Sequence, residues 1–310
     1  MADSDSEHGS LQNKAVLFLH VHKTAGTTLH RIIEKEYSPF RIYTIEGKGS
    51  EWSINHLKRL PEWRRAALRV VKGHMSFGLH EFLPQPSTYI TFLRDPVERC
   101  ISSYFYSKGN RFNPFYHRIN QEQLDLAAFL EIVPWNNNLQ CKMIAGIDRR
   151  EYRPLGLFRE MTRSKAAAPD RSVDSWSSRE TLQRAQENLR RYFSFVGVTE
   201  CFTESLVLLK HLFGWKLSSY SSYRKSRNRL KRETFDAKAL AIVEERNQFD
   251  RELYNYGKTM FDDLVDRLGI DLEREAANFR GSGQKNPLKA AVELSSVALR
   301  AAASRCVSLV

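Results

Sequence analysis

The 310-residue sequence lacks the features of several protein classes. No stretch approaches the roughly 20 consecutive apolar residues that a membrane-spanning helix requires. Residues 1–13 are polar and acidic, without the basic start and apolar core of a secretory signal, so we expect a disordered tail there. The four cysteines show no C-x-x-C spacing, which argues against a zinc site and a disulfide scaffold. They predict a reducing compartment, with Cys100 and Cys201 buried.

Acidic residues are scarce relative to basic ones. The chain has 48 Lys and Arg residues against 36 Asp and Glu residues, which gives a formal net charge of +12. Segment 224–232, with the sequence RKSRNRLKR, is especially basic. Such an excess attracts polyanions, which include nucleic acid, anionic lipid, a nucleotide cofactor and acidic polysaccharide. A well-solvated surface explains most of these arginines equally well.

The sequence does contain an alternation of strand and helix patterns. Runs of apolar, β-branched and aromatic residues predict strands at 15–21, 41–47, 68–73, 88–94 and 193–198. Helical periodicity predicts helices at 26–37, 96–107, 179–192, 202–213 and 234–266. Near-continuous apolar strands are typical of a parallel sheet that is covered on both faces. The pattern therefore predicts an α/β fold, a doubly wound parallel sheet flanked by helices, whose ligands bind at the carboxyl ends of the strands.

Composition also indicates where the predicted domain begins and ends. Residues 14–270 form the predicted domain, within which 149–178 has weak periodicity and is expected to be an irregular insertion or a lid. Residues 271–310 are expected to form a linker, around 278–287, and a C-terminal amphipathic helix. That helix, 288–310, could pack on the core, pair with a partner or lie peripherally on a membrane.

The turn HKTAGTT, at residues 22–28, follows the first predicted strand and opens a helix. Its backbone N–H groups and the helix dipole predict an anion site, to which Lys23 adds a full positive charge. The sequence G-x-x-x-x-G-K-[ST] of nucleoside triphosphatases is absent, so no metal site of that kind is expected. An ordinary strand–helix turn with an exposed lysine would look the same. The candidate phosphate-binding residues are Lys23, Thr24, Ala25, Gly26, Thr27 and Thr28.

A second strand–turn–helix segment, YITFLRDPVERCISSYFY at 89–106, repeats this arrangement. Asp95 is placed to cap the helix, and Pro96 stands at its first position, where a missing N–H costs nothing. Arg94 could bind a phosphate through two parallel hydrogen bonds, or it could simply pair with Glu98. The residues alone therefore indicate two phosphate sites.

Together these two motifs resemble the cofactor motifs of the sulfotransferases, in the branch that contains heparan sulfate 2-O- and 6-O-sulfotransferases and bacterial relatives. The similarity extends over roughly residues 14–268 and includes segments 73–82, 137–140 and 193–213. It implies that the first motif binds the 5′-phosphosulfate of 3′-phosphoadenosine-5′-phosphosulfate (PAPS). It also implies that Arg94 and Ser102 bind the 3′-phosphate. The basic residues Arg227 and Lys231 match a loop that meets the cofactor or an anionic acceptor, although a solvated turn is nearly as plausible.

Sulfuryl transfer needs a base for the acceptor hydroxyl, and the resemblance assigns this role to His74. Lys23 is then expected to be catalytic too, by stabilising charge on the departing phosphate. His80 and Glu81 are the alternative bases, while His20 and His22 are expected to pack around the turn. In the 2-O branch a second histidine stands two positions before the base. Here that position is Lys72, which leaves the acceptor sugar and its hydroxyl open.

The leading hypothesis is a PAPS-dependent sulfotransferase that acts on a carbohydrate hydroxyl. Tyrosine O-sulfation of a peptide and a non-catalytic polyanion-binding role remain open, and a nucleotide kinase is disfavoured by the missing G-K-[ST]. Nucleic acid is not expected as a partner. Animal members of the branch are held in the Golgi by an N-terminal membrane helix. Because the sequence starts with a polar segment, we expect a bacterial cytoplasmic enzyme, or a Golgi enzyme only if the chain is truncated.

Overall fold

A five-stranded parallel sheet forms the centre of the protein in the computed structural model, which describes residues 11–46, 50–153, 155–163, 175–217 and 232–283. The strand order is β2-β3-β1-β4-β5. The strands are β1 (Ala15–Leu19), β2 (Ile42–Ile45), β3 (Val70–Gly73), β4 (Ser87–Leu93) and β5 (Phe193–Val198). All five predicted strands are present, and the predicted α/β class with a parallel sheet is confirmed.

Helices pack on the sheet and account for most of the remaining described residues. In chain order they are α1 (Gly26–Glu36), α2 (Ser50–Arg59), α3 (Glu62–Ala66), α4 (Pro96–Gly109), α5 (Tyr116–Gln121), α6 (Leu126–Ile132), α7 (Leu139–Ile144), α8 (Arg149–Tyr152), α9 (Leu155–Met161), α10 (Arg179–Tyr192), α11 (Phe202–Phe213), α12 (Ala237–Arg246), α13 (Gln248–Leu268) and α14 (Leu272–Gly283). Most of the helices absent from the sequence prediction are short.

The register of the sheet brings three strand ends together. Leu19, the last residue of β1, pairs with Gly73 on one side and with Thr91 on the other. All strands run parallel, so the segments that follow β1, β3 and β4 leave the sheet at one edge. The turn at 22–28, His74 and Arg94 therefore become neighbours although they are far apart in the sequence.

The long helix predicted at 234–266 is instead two helices, α12 and α13, which are separated at Asn247. The Asn247 side chain is buried, and its Oδ1 accepts hydrogen bonds from Arg99 Nη2 and from the backbone N–H of Asn138. The backbone of Asn247 leaves the helical region, with φ −124° and ψ 27°. These tertiary contacts interrupt a helical periodicity that runs through the sequence.

Two other segments and one cysteine differ from the expectations above. The short helices α8 and α9 lie in the part of 149–178 that was expected to be irregular, and residues 154 and 164–174 lie outside the described residues. Helix α14 extends into the expected linker at 278–287 because Ala276 and Phe279 are buried. Cys100 is buried as expected, but Cys201 is exposed. Residues 288–310 and the N-terminal residues 1–10 lie outside the described part of the chain.

Candidate active site

The turn between β1 and α1 has an unusual backbone. Lys23 and Ala25 both have positive φ angles, 73° and 60°, in the left-handed region that non-glycine residues rarely occupy. Ala25 directly precedes α1 and provides no side-chain cap for it. The first N–H groups of a helix lack partners within that helix, so this end of α1 is suited to hold an anion. The Thr24 hydroxyl donates to the carbonyl oxygen of Val21, 2.8 Å away, and holds the turn in shape.

Gly26 allows the ring of His20 to lie against the turn. A Cβ atom on residue 26 would lie 2.0 Å from Nε2 of His20 and 2.1 Å from its Cδ2. No side chain fits at such distances, so glycine is required for steric reasons at this position. The other predicted members of the turn differ in exposure: Ala25 is exposed, Thr27 is half-buried and Thr28 is buried.

The side chain of Lys23 reaches the third turn of α4. Its Nζ lies 4.2 Å from the centre of the Tyr106 ring, which is a cation–π contact. Ser102 is half-buried one helical turn before Tyr106, so both residues share one face of α4. The predicted ligands Lys23 and Ser102 are thus on facing elements. The sequence analysis missed Tyr106, although the four-residue spacing from Ser102 was a usable signal.

Arg94 binds the turn directly. Its Nη1 donates to the carbonyl oxygen of Lys23 at 2.9 Å, and its guanidinium lies 3.6 Å from Glu98 and 3.9 Å from Glu200. The structure therefore agrees with both interpretations of this arginine, because the Glu98 pair exists and the guanidinium also lies at the turn of residues 22–28. Its role as a ligand of the 3′-phosphate stays a prediction.

Gln140, another residue that the sequence analysis did not single out, holds the backbone of Arg94 in place. Its Oε1 accepts from the N–H of Arg94 at 3.0 Å, and its Nε2 donates to the carbonyl oxygen of Arg94 at 2.9 Å. Buried Asp250 of α13 in turn accepts from the backbone N–H groups of Gln140 and Cys141. The carboxylate thus caps α7, and it fixes the position of Arg94 indirectly, through Gln140.

Asp95 caps α4 as predicted, because its side chain accepts from the N–H groups of Val97 and Glu98. Burial alone would raise the pKa of Asp95, but hydrogen bonds from Arg251 and from the N–H of Glu98 bring that pKa below its ordinary value. The carboxylate is therefore ionised at neutral pH and complements the N-terminal dipole of α4.

His74 follows β3 and lies beside the turn. Its Nδ1 is 2.7 Å from the backbone carbonyl oxygen of His20. A carbonyl oxygen only accepts hydrogen bonds, so Nδ1 carries the proton, and in the neutral ring Nε2 carries the lone pair. The ring is stacked between those of His20 and His22, with centroid distances of 4.2 and 3.7 Å. This arrangement fixes both the orientation and the tautomer that a general base needs.

A cleft of about 290 Å³ opens next to His74. Its walls come from the connection after β3, from one face of α2 and from the region around α7 and α8. The charged and histidine side chains that line it are His22, Glu51, Lys58, His74, Glu81, Asp148 and Arg150. The cleft is polar and carries charges of both signs, so it suits a ligand with many hydroxyl groups.

The two alternative bases differ in their surroundings. His80 packs against Phe77, Tyr89 and Tyr192, and burial lowers its pKa. Its backbone N–H and its Nδ1 both contact the Tyr89 hydroxyl, at 3.0 and 3.2 Å. His80 therefore belongs to the wall behind the site, whereas Glu81 lines the cleft itself.

The remaining predicted residues, Arg227 and Lys231, lie outside the described residues. Within the described ranges, no group of three or more His, Cys, Asp or Glu side chains is arranged to hold a metal ion.

Comparison with known proteins identifies the family. A sequence profile described as Galactose-3-O-sulfotransferase matches residues 4–304, which is nearly the whole chain. The chain belongs to this family. The sulfotransferase resemblance carried by the two motifs is thereby confirmed, and the parallel α/β sheet is consistent with a sulfotransferase fold.

Individual relatives support the same assignment. Galactose-3-O-sulfotransferase 3 of Mus musculus is 24% identical over 292 residues, which cover 88% of this chain and 62% of the relative. Heparan-sulfate 6-O-sulfotransferase 1 of Cricetulus griseus is 24% identical over 287 residues, 79% of this chain and 67% of the relative. Galactosylceramide sulfotransferase of Homo sapiens is 26% identical over 292 residues, with 87% and 62% coverage. The chain thus spans less than two thirds of the length of the first of these relatives.

The expectation of a bacterial cytoplasmic enzyme is wrong. The relatives with which the chain aligns are animal sulfotransferases, which point to the Golgi rather than to a bacterial cytoplasm. A helix that combines the length and the apolarity needed to cross a membrane is not found among the residues that the structure describes.

Proposed function

We propose that this protein transfers the sulfuryl group of PAPS to a hydroxyl group of a carbohydrate, with His74 as the general base. The observation that carries the proposal is the placement of His74. Its tautomer is set by the carbonyl oxygen of His20, and it lies between the anion-binding turn and a polar cleft. Membership in a family of carbohydrate sulfotransferases supports the same reaction.

The residues at the strand ends fit a bound phosphosulfate. The end of α1 without a side-chain cap comes two residues after Lys23, and the guanidinium of Arg94 is bonded to the backbone carbonyl oxygen of Lys23. PAPS supplies the activated sulfuryl group when it is bound. The 5′ end would contact Lys23 and the N–H groups of residues 24–28, while Arg94 and Ser102 would contact the 3′-phosphate.

Each protein group then has one task in the transfer. The lone pair on Nε2 of His74 takes the proton of the acceptor hydroxyl while the oxygen attacks sulfur, and the proton stays on the imidazole. A well-placed base of this kind contributes roughly 10²- to 10⁴-fold to the rate. The ammonium group of Lys23 stabilises the negative charge that develops on the departing phosphate. The Nδ1–H of His74 remains bonded to the carbonyl oxygen of His20 throughout, so the resulting imidazolium keeps its orientation.

The cleft beside His74 is the proposed acceptor site. Lys58 and Arg150 can donate hydrogen bonds to sugar oxygens, and Glu51, Glu81 and Asp148 can accept them from sugar hydroxyls. The cleft has three carboxylates and two cations, so it should bind a neutral glycan better than a densely sulfated one, whose negative charges the carboxylates would repel. We therefore propose a galactose-containing glycan as the first acceptor to test, in keeping with the names of the relatives.

Mass spectrometry tests this function. The protein is incubated with PAPS and, in separate reactions, with a galactose-terminated oligosaccharide, heparan sulfate and a tyrosine-containing peptide. We expect a mass increase of one sulfate on the oligosaccharide with the wild-type protein and none with the His74→Ala variant. Sulfation of the peptide alone would replace the carbohydrate with a tyrosine acceptor. Tight binding of the donor product without sulfation of any acceptor would contradict the proposed catalysis.

A further inference from the structure

A series of hydrogen-bonded polar side chains, all buried except half-buried His30, runs from the interior of the sheet to the anion-binding turn at residues 22–28. Lys72 of β3 is 1% exposed, and its Nζ lies 2.7 Å from Oε1 of Glu34. The same Nζ lies 3.2 Å from Nδ1 of His30, and Nε2 of His30 lies 3.0 Å from Nδ1 of His20. The Nε2 corner of His20 is the part of that ring nearest to Gly26. The series of side chains therefore ends with His20, directly against the turn.

Only one order of donors and acceptors is possible along this series of hydrogen bonds. The ammonium group of Lys72 has donors only, so the Nδ1 atom of His30 must accept. In a neutral ring the proton of His30 then resides on Nε2, from which it is donated to Nδ1 of His20. His20 must in turn carry its own proton on Nε2. The corner of the ring that faces Gly26 is thus an N–H group and not a lone pair.

Both rings stay neutral at physiological pH, as this assignment requires. Burial is the largest cause that lowers the pKa of His20, followed by the charges of His74, Lys23 and Lys72. Burial also dominates for His30, where Lys72, His20, His74 and Arg31 lower the pKa further. Glu34 is the carboxylate that faces Lys72, and it balances the buried ammonium charge.

We propose that Lys72 is a positioning residue for the donor site: through His30 it fixes His20 as the Nε2–H tautomer, which presents the positive edge of the imidazole to the anion-binding turn. A lone pair at the same corner would face the bound phosphate and oppose it. A lysine inside the sheet then has a positioning role, since a buried ion pair alone rarely adds stability. The inference rests on the proposed binding of a phosphosulfate at the turn, but not on the role of His74 as the base.

The tautomer can be read directly in the wild-type protein. Long-range ¹H–¹⁵N correlation spectra of protein labelled with ¹⁵N-histidine distinguish Nδ1–H, Nε2–H and doubly protonated rings. Signals of His20 and His30 are assigned by comparison with the His30→Phe variant and a His20→Asn variant. We expect both residues as neutral Nε2–H tautomers at neutral pH. A His20 ring with its proton on Nδ1, or on both nitrogens, overturns the proposal.

A double variant tests the consequence for binding. Lys72→Met with Glu34→Gln removes both buried charges together, and Arg31, which also pairs with Glu34, is one-third exposed and can be solvated. We expect His20 to populate both tautomers and the affinity for 3′-phosphoadenosine-5′-phosphate to fall about two- to fivefold, the effect of one reoriented dipole near an anion. His30→Phe should act in the same way, because it keeps a ring but removes the donor to His20. It is the second test if the double variant does not fold.

A partly buried ion pair elsewhere provides the matched control. Arg118 of α5 and Glu122, which directly follows that helix, lie 3.3 Å apart. Arg118→Met with Glu122→Gln should leave the His20 tautomer and the bisphosphate affinity unchanged. Equal loss of affinity in both double variants, or an unchanged tautomer in the Lys72 variant, would reduce Lys72 to a structural role. If the wild-type protein does not bind the bisphosphate at all, the proposed donor site fails, while the spectra still decide the tautomer.

Discussion

Nδ1 of His74 lies 2.7 Å from the backbone carbonyl oxygen of His20. This one hydrogen bond joins the end of β3 to the end of β1 and selects the tautomer of the candidate base. Because His20 also packs against Gly26, His74 and the turn at residues 22–28 are both held by His20. The predictions below separate the contributions of these groups.

Removal of the candidate base should abolish turnover and spare donor binding. We expect His74→Ala to lower kcat about 10²- to 10⁴-fold, because the variant lacks the imidazole that would take the proton of the acceptor hydroxyl. The affinity for 3′-phosphoadenosine-5′-phosphate, measured by calorimetry, should stay within a fewfold of wild type. Glu81→Gln, which alters the same cleft, is the comparison. If Glu81→Gln loses activity and His74→Ala does not, the carboxylate is the base.

Lys23→Ala should impair both binding and transfer. The variant loses the cation at the turn, so we expect weaker bisphosphate binding and a larger loss in kcat, since charge on the phosphate increases as the sulfuryl group departs. Lys210→Ala removes an equal charge from the exposed face of α11 and should behave like wild type. Normal turnover in the Lys23 variant would exclude the proposed role of this ammonium group.

Gly26→Ala tests the close packing of His20 against the turn. The added Cβ would meet the His20 ring at 2.0 Å, so we expect a loss of about 1–3 kcal/mol in the free energy of unfolding, together with weaker bisphosphate binding. Gly109→Ala is the control, because no atom lies within 4 Å of its added Cβ. Equal melting temperatures for the two variants would show that the turn can relax without cost.

Bisphosphate binding should not depend on magnesium. The predicted ligands at the turn are N–H groups and cations, which contact phosphate oxygens without a bridging metal. We expect 3′-phosphoadenosine-5′-phosphate to raise the melting temperature in the presence of a chelator, and ATP to have little effect. Equal shifts from both nucleotides would contradict the assignment of the donor.

His20 and His30 should make the stability of the fold depend on pH. Their pKa values are lowered in the folded protein, so below about pH 6.5 the unfolded chain binds protons that the folded protein does not. Stability is therefore expected to fall as the pH drops below 6.5, by at most about 1.4 kcal/mol per pH unit for each group. Charges that face these rings come from Lys23, Arg31, Glu34, Lys72 and His74.

Urea unfolding between pH 7 and pH 5 measures this dependence. His30→Phe removes one of the two groups, so its slope should be shallower than that of wild type. A slope that does not change would mean that His30 titrates normally in the folded protein.

The sequence by itself determined the five strands, the α/β class and the two strand–turn–helix motifs. These features depend on local rules: apolar runs form buried strands, Asp95 and Pro96 start α4, and a short turn with glycine opens α1. The motifs also sufficed to identify the sulfotransferase family, since their residues are contiguous in the chain.

Only the tertiary structure decided which distant side chains meet. Gln140 forms hydrogen bonds with the backbone of Arg94, which is 46 positions away in the sequence. Lys72 pairs with Glu34, which is 38 positions away. Asn247 interrupts a continuous helical pattern and accepts a hydrogen bond from Arg99. The tautomers of His74 and His20 follow from such contacts and from no local pattern. Hydrogen bonds of this kind depend on how strands and helices pack, and the sequence near each residue carries no record of its partner.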